Sequence, residues 1–210
     1  MSKRPGVVAG AVIAGIFGLI AAWIQIYPHL RADTQDQTKE ASAPQPRVPL
    51  GLETQFYPSG WMGDGKYGKE HISLSRTAMD VRGETKVVVR IEYRPGPEGW
   101  AGVYWQFPEN NWGDHAGRNL TGVRAIRFLA RGEEGGEIVE FKAGGIRGKN
   151  PDSFEKSLDK LILAPEWSEH TIQLTGEDLS NVVGAFAWIA AAADNENLPI
   201  SFYICDMVIL

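Results

Sequence analysis

Residues 100–113 read WAGVYWQFPENNWG. Their first half alternates: Val103, Trp105 and Phe107 fall on one side of an extended chain, Gly102, Tyr104 and Gln106 on the other. The first set suits a core. The second joins an aromatic ring and a side-chain amide to a glycine that leaves space, the composition of a concave binding face. Pro108 breaks the run, and Asn110, Asn111, Trp112 and Gly113 follow as a loop. Aromatic rings beside Asn and Gln amides suit a polar ligand with apolar patches, above all a sugar, whose C–H face stacks on a ring while its hydroxyls need fixed donors and acceptors. The competing reading is structural: Asn110 and Asn111 build a turn and Trp112 covers a sheet edge.

The same two-residue period continues on both sides of this stretch. Val87, Val89, Ile91 and Tyr93 alternate with Lys86, Arg90 and Glu92, and Ile126, Phe128 and Ala130 alternate with Arg127 and Arg131. Val139, Phe141 and Ala143 alternate with Glu140 and Lys142, and Ile172 and Leu174 flank Gln173. The last run puts Ile200, Phe202, Ile204, Asp206 and Val208 on one face. Turn signals separate the runs, among them Arg94-Pro95-Gly96-Pro97, Gly132 to Gly136 and Gly144-Gly145. Residues 152–163 are the best helix candidate, and a short one. About eight or more half-buried strands point to an all-β antiparallel sandwich.

The chain has 210 residues, room for one sizeable domain and an appendage. A formal net charge of -5 without a basic cluster argues against a nucleic-acid partner. A lone Cys205 excludes an intrachain disulfide and a cysteine-based zinc cluster. The four histidines are scattered, and no nucleophile elbow, phosphate loop or H-E-x-x-H occurs. Glu137 and Glu140 fall on different strand faces and Glu133-Glu134 lie in a glycine turn, so all four read as solvated charges rather than a glycosidase acid pair. A non-enzyme is expected.

From Gly6 to Tyr27 there is no charged side chain, long enough as a helix to cross a hydrocarbon core of about 30 Å. Trp23 and Tyr27 suit the interface, and Lys3 and Arg4 in front of the run set the orientation. No A-x-A-like site marks a cleaved signal peptide. The organisation expected is a cytoplasmic tail at 1–5, a transmembrane helix at 6–28, a flexible linker at 29–50 and the sandwich at 51–210. That makes a single-pass membrane protein with its carboxy-terminal domain periplasmic or extracellular. Small residues at Gly6/Gly10 and Ala14/Gly18 have the spacing of helix self-association.

WAGVYWQFPENNWG, FLARGEEGGEIVEFKAGG, PDSFEKSL, EWSEHTIQLTGEDLSNVVGAFAW and ISFYICDMVIL, with PSGWMGDG upstream, resemble in order the blocks of a carbohydrate-binding-module-like family. The resemblance covers nearly all of 50–210. It implies a galactose-binding-like jelly roll that binds polysaccharide or another glycan without catalysis. One departure is Cys205, where the family's last strand commonly carries the first of two aspartates. Fold does not fix function, so the ligand is argued from the site. An assembly factor holding a protein partner is the second reading, and a hydrolase or lyase the third.

The residues expected to contact carbohydrate are Tyr104, Gln106, Asn110, Asn111 and Trp112, with Asp152 from the loop after Asn150-Pro151. Asp152 also reads as an N-cap of the 154–163 stretch. Asp206, on an apolar face, needs a cation, a basic partner or several N–H donors. The resemblance implies a structural Ca²⁺ between first and last strands, with Asp64 or Glu53 as the second acid to Asp206.

Overall fold

The computed structural model describes residues 48–68 and 70–210. The expected membrane segment and linker, save residues 48–50, lie outside these. Among the described residues no helix is long and apolar enough to cross a membrane.

In chain order the strands are β1 (Leu50–Gly51), β2 (Tyr57–Gly63), β3 (Ile72–Val81), β4 (Glu84–Tyr93), β5 (Trp100–Gln106) and β6 (Ala125–Gly132). There follow β7 (Ile138–Gly144), β8 (Glu155–Ile162), β9 (Ser168–Gln173), β10 (Gly184–Ala191) and β11 (Ile200–Ile209). One sheet has the order β3-β4-β11-β6-β9, with β1 added on β11; the other runs β2-β5-β10-β7-β8. All pairings are antiparallel, and single 3-10 turns are the only helical elements among the described residues. This is the two-sheet sandwich that the alternating patterns predict.

Alternation decides which side chains meet between the sheets. In the second sheet, register aligns Trp61, Val103, Trp188 and Phe141 in one row facing inward. From the first sheet, Phe128 meets Phe141 at 4.8 Å and Phe186 at 5.0 Å, and Phe202 meets Trp188 at 5.3 Å between ring centroids. The rings interlock mostly edge to face or tilted, as their quadrupoles favour. Phe128, Phe141 and Phe202 are fully buried, each contributing roughly 1.5–3 kcal/mol.

Three expectations about these strands need correction. Residues 152–163 form no helix; most of them are edge strand β8. A bulge opposite Phe141, with Asp159 at φ 58°, inserts a residue between Leu158 and Leu161, so both pack on the core although three apart in sequence. That spacing imitates a helix face. In β11 a second bulge, between Cys205 and Val208, reverses the alternation: Asp206, at φ 50°, turns outward and Met207 and Ile209 take the core positions. Val87 is exposed, on the β3–β4 hairpin opposite exposed Ala78.

Candidate functional site

The outer face of the second sheet carries two registered rows. One reads Gly60, Tyr104, Ala187, Lys142, Ser157 and the next Met62, Gly102, Ile189, Glu140, Lys160 across β2, β5, β10, β7 and β8. Its central strands therefore offer mostly small or apolar groups and its far strands charged ones. Gly102 admits nothing larger, because a β-carbon there would stand 2.6 Å from the Trp188 carbonyl oxygen.

Tyr104 lies on this face, as alternation requires, yet it is no open platform. Only 5% of it is exposed, under Ile146, Val183 and Met62. Its hydroxyl donates to the Gly144 carbonyl at 2.9 Å. Burial pushes that hydroxyl above the usual phenol range, and the carboxylates of Asp152, Glu155 and Glu140 add to the effect, so it stays a neutral donor. Trp112 beside it is exposed, 42% accessible, and set at 86° to Tyr104 with centroids 6.3 Å apart. Tyr104 is the base on which Trp112 stands.

The loop that presents Trp112 is built by the two asparagines. Asn111 is buried and satisfied: Nδ2 donates to the Phe107 and His115 carbonyls at 3.1 and 2.8 Å, and Oδ1 accepts from the Gly113 and His115 amides at 3.1 Å. Asn110 sits exposed at φ 58°, and its amide donates to Ser59 Oγ at 2.9 Å. Ser59 in turn donates to Gln106 Oε1 at 2.9 Å. Gln106 is fully buried, with Nε2 lacking a partner. Gln106 and Asn111 are thus parts of the scaffold out of a ligand's reach, whereas Asn110 and Trp112 stand at the surface.

Asp152 belongs to the scaffold as well. It accepts the amide hydrogens of Ile146 at 2.8 Å, Val183 at 2.5 Å and Gly184 at 3.2 Å, and is 6% exposed. Burial pushes its carboxyl up, with the three N–H groups opposing. It caps no helix; it folds residues 145–151 back over the sheet. That loop is then fastened to the Trp112 loop through backbone, with Asn150 N donating to Gly113 O at 2.7 Å. The contact demands glycine: at Gly113, φ 89°, a β-carbon would fall 2.4 Å from the Arg147 carbonyl oxygen.

Beside Trp112 this brings a set of side chains that the sequence reading passed over. Lys142 and Arg147 both pair with Glu155, the latter at 2.9 Å, and Ser157 Oγ donates to Glu140 at 2.8 Å. The Lys142 hydrogen bond, then the charges of Lys142 and Arg147, hold the Glu155 carboxyl below its usual range. The signal was present: Glu140 and Lys142 alternate with Val139, Phe141 and Ala143, so they had to lie outside the core. Only the placement of β7 beside β10 puts them on the same face as Tyr104.

The two acids named as cation ligands do not converge. Asp64 is fully buried, accepting from Tyr93 Oη at 2.9 Å, Gly96 N at 2.8 Å and Glu98 N at 2.7 Å. Burial alone would raise its carboxyl, but these donors hold it below the ordinary value. Asp206 is exposed and paired with Lys86 at 2.6 Å. Their partners Lys86 and Tyr93 both lie in β4, about 23 Å apart at strand rise. Glu53 pairs with Arg76 at 2.5 Å. Donors surround one carboxylate and an ammonium neutralises the other, so these residues do not fit a Ca²⁺ site. Among the described residues no three acidic, histidine or cysteine side chains group as metal ligands.

No protein-family profile and no curated protein sequence matches the chain. Solved structures do match in fold. Two crystal structures of a family 30 carbohydrate-binding module align with TM-scores of 0.50 at 14% and 16% identity, covering 78% and 79% of this chain and 98% and 88% of theirs. An exo-β-agarase aligns with TM-score 0.53 at 10% identity over 77% of this chain, which spans 25% of that enzyme. The structural neighbours of this sandwich are carbohydrate-binding modules, and the likeness is one of fold.

Proposed function

We propose that the domain binds polysaccharide without cleaving it, on the outer face of the β2-β5-β10-β7-β8 sheet. The observation that carries this reading is Trp112: a ring left accessible at the surface, braced edge-on by a buried tyrosine, beside the chain Lys142–Glu155–Arg147 and the exposed Asn110. A pyranose stacks on the indole while the ionic chain and the Asn110 amide supply donors and acceptors to its hydroxyls. The fold likeness to carbohydrate-binding modules supports the same reading. So does the strand order, which suits a jelly roll of the galactose-binding-like kind. Tethering to a membrane, with the sandwich periplasmic or extracellular, is supported by the uncharged run 6–27 alone. Recovery of the full chain in the soluble fraction after cell breakage would remove the tether.

The experiment is affinity electrophoresis of the full chain through gels containing plant, algal and bacterial polysaccharides. Retention by at least one polymer is expected, and its loss in Trp112→Ala. A blank panel would remove carbohydrate binding, and retention unaltered by Trp112→Ala would remove this face.

A further inference from the structure

Alternation along β5 puts more than Tyr104 on the outer face of its sheet. Ala101, Val103 and Trp105 are fully buried in the core, so Trp100 turns outward with Gly102 and Tyr104. The neighbouring strand agrees. Trp100 registers with Ala191 of β10, and the adjoining pair, Ala101 with Ala190, lies in the core. Trp100 is half-buried and, among the described residues, joins neither the core between the sheets nor the cluster around Tyr104.

The neighbours of this ring are small. Ala191 stands on its β10 side. On the β2 side is Gly63, where a β-carbon would come 2.9 Å from Cδ2 of the indole and 2.2 Å from the Trp100 carbonyl oxygen. Between Trp100 and Tyr104 on this face comes Gly102, flanked by Met62 and Ile189, so the floor there is low and apolar. Tyr104, the base of Trp112, lies four residues on from Trp100, about 13 Å at strand rise. A six-membered sugar ring spans about 5 Å from one bridging oxygen to the next at ordinary bond lengths. One sugar cannot reach both indoles, and roughly three in a row cover the interval.

Resting on the polysaccharide reading of this face, we infer that Trp100 is a second stacking ring and that the sugar chain runs along β5 from Trp112 over Gly102. The ligand class follows: an extended, linear chain of equatorially linked hexoses. Such a chain keeps its rings in line over that distance and lays C–H faces on both indoles from one side. A coiled chain turns its later rings away from the sheet. Between the indoles the apolar floor meets C–H groups, while Glu140 and Lys142, one strand beyond β10, face hydroxyls at the side of the chain.

The test is calorimetric titration of the full chain, and of its Trp100→Ala and Trp112→Ala variants, with cello- and manno-oligosaccharides of two to six sugars. Malto-oligosaccharides serve as the coiled counterpart and do not bind. For at least one extended series, Trp100→Ala binds the hexasaccharide about tenfold or more weakly than wild type, the scale of one anchoring aromatic. It binds the shortest sugar that the wild type takes as well as before, which a merely structural role for the ring would not allow. Trp100→Phe, keeping a ring, recovers part of the loss, and Trp112→Ala weakens every length. Unchanged hexasaccharide affinity in Trp100→Ala, with Trp112→Ala weakened, would overturn this inference and spare the polysaccharide reading. So would a loss at every length in Trp100→Ala with a fall in its unfolding midpoint, binding of the malto series, or no binding of either extended series by a chain that polysaccharide gels retain. Indifference to both variants, or a chain that no gel retains, would overturn both.

Discussion

Replacing Asp152 by Asn removes one atom's identity and leaves the volume alone, so its cost isolates the hydrogen-bond pattern. The carboxylate faces N–H donors on both oxygens: Ile146 on Oδ2, Val183 on Oδ1 and Gly184 across both. An asparagine keeps one acceptor and turns an NH₂ towards a donor. If the oxygen stays with Val183, the NH₂ meets the Ile146 N–H across 2.8 Å. One charge-assisted bond is lost, about 1.5–3 kcal/mol, and a buried donor is left unpaired, about 1–3 kcal/mol. Against this stands the relief of no longer burying a charge, since burial raises the Asp152 carboxyl. The two losses together come to about 2.5–6 kcal/mol and the relief offsets only part of them, so a net destabilisation of about 2 kcal/mol or more is expected, and a larger one for Asp152→Ala, which orphans all three amides. Urea unfolding of the full chain followed by tryptophan fluorescence measures it as a shift in midpoint at constant slope. A change within about 0.5 kcal/mol, the scale of a surface substitution, would refute the assignment of Asp152 as the clasp of the 145–151 loop.

Two other outcomes follow from the acids. Asp64 has its folded-state carboxyl below the ordinary value, so the stability it confers is present above the unfolded pKa, about 3.9, and is lost as pH falls through the folded one. The wild-type melting temperature should therefore drop below about pH 4, and Asp64→Asn should be destabilised at pH 7 with a flatter acid limb; parallel curves would contradict this. Asp206 is an exposed partner of Lys86, so Asp206→Asn should cost no more than about 1 kcal/mol. Chelator should leave the wild-type melting temperature unchanged, and a fall of several degrees would restore a metal to the account.

The architecture was legible because the information for it is local. Val89, Ile91 and Tyr93, or Val139, Phe141 and Ala143, declare an inward face by alternation alone, and they are the core found. Where a bulge intrudes, alternation misleads: Asp206 was placed among apolar neighbours that Met207 and Ile209 in fact join, and Leu158 and Leu161 imitated a helix. The site was legible in part. Trp112 and Asn110 stand at the surface, but the same window gave no sign that Gln106 and Asn111 are buried, or that Tyr104 lies beneath Ile146 of a loop forty residues on in sequence, clasped by Asp152. Nor did Glu137, in a run of charges beside glycines, show that it would be buried; that depends on Gly132 and on the close of β8, which only the folded sheets bring to it.

The central claim is that Trp112 is a ligand's stacking ring and no mere cover for the sheet. It is tested most directly by the dissociation constant of the full chain and of Trp112→Ala for whichever polysaccharide retains the wild type, with unfolding midpoints measured on both. Loss of an anchoring aromatic predicts at least about thirtyfold weaker binding while the midpoint moves little. Unchanged affinity, or a loss of affinity matched by a collapse in stability, would contradict it.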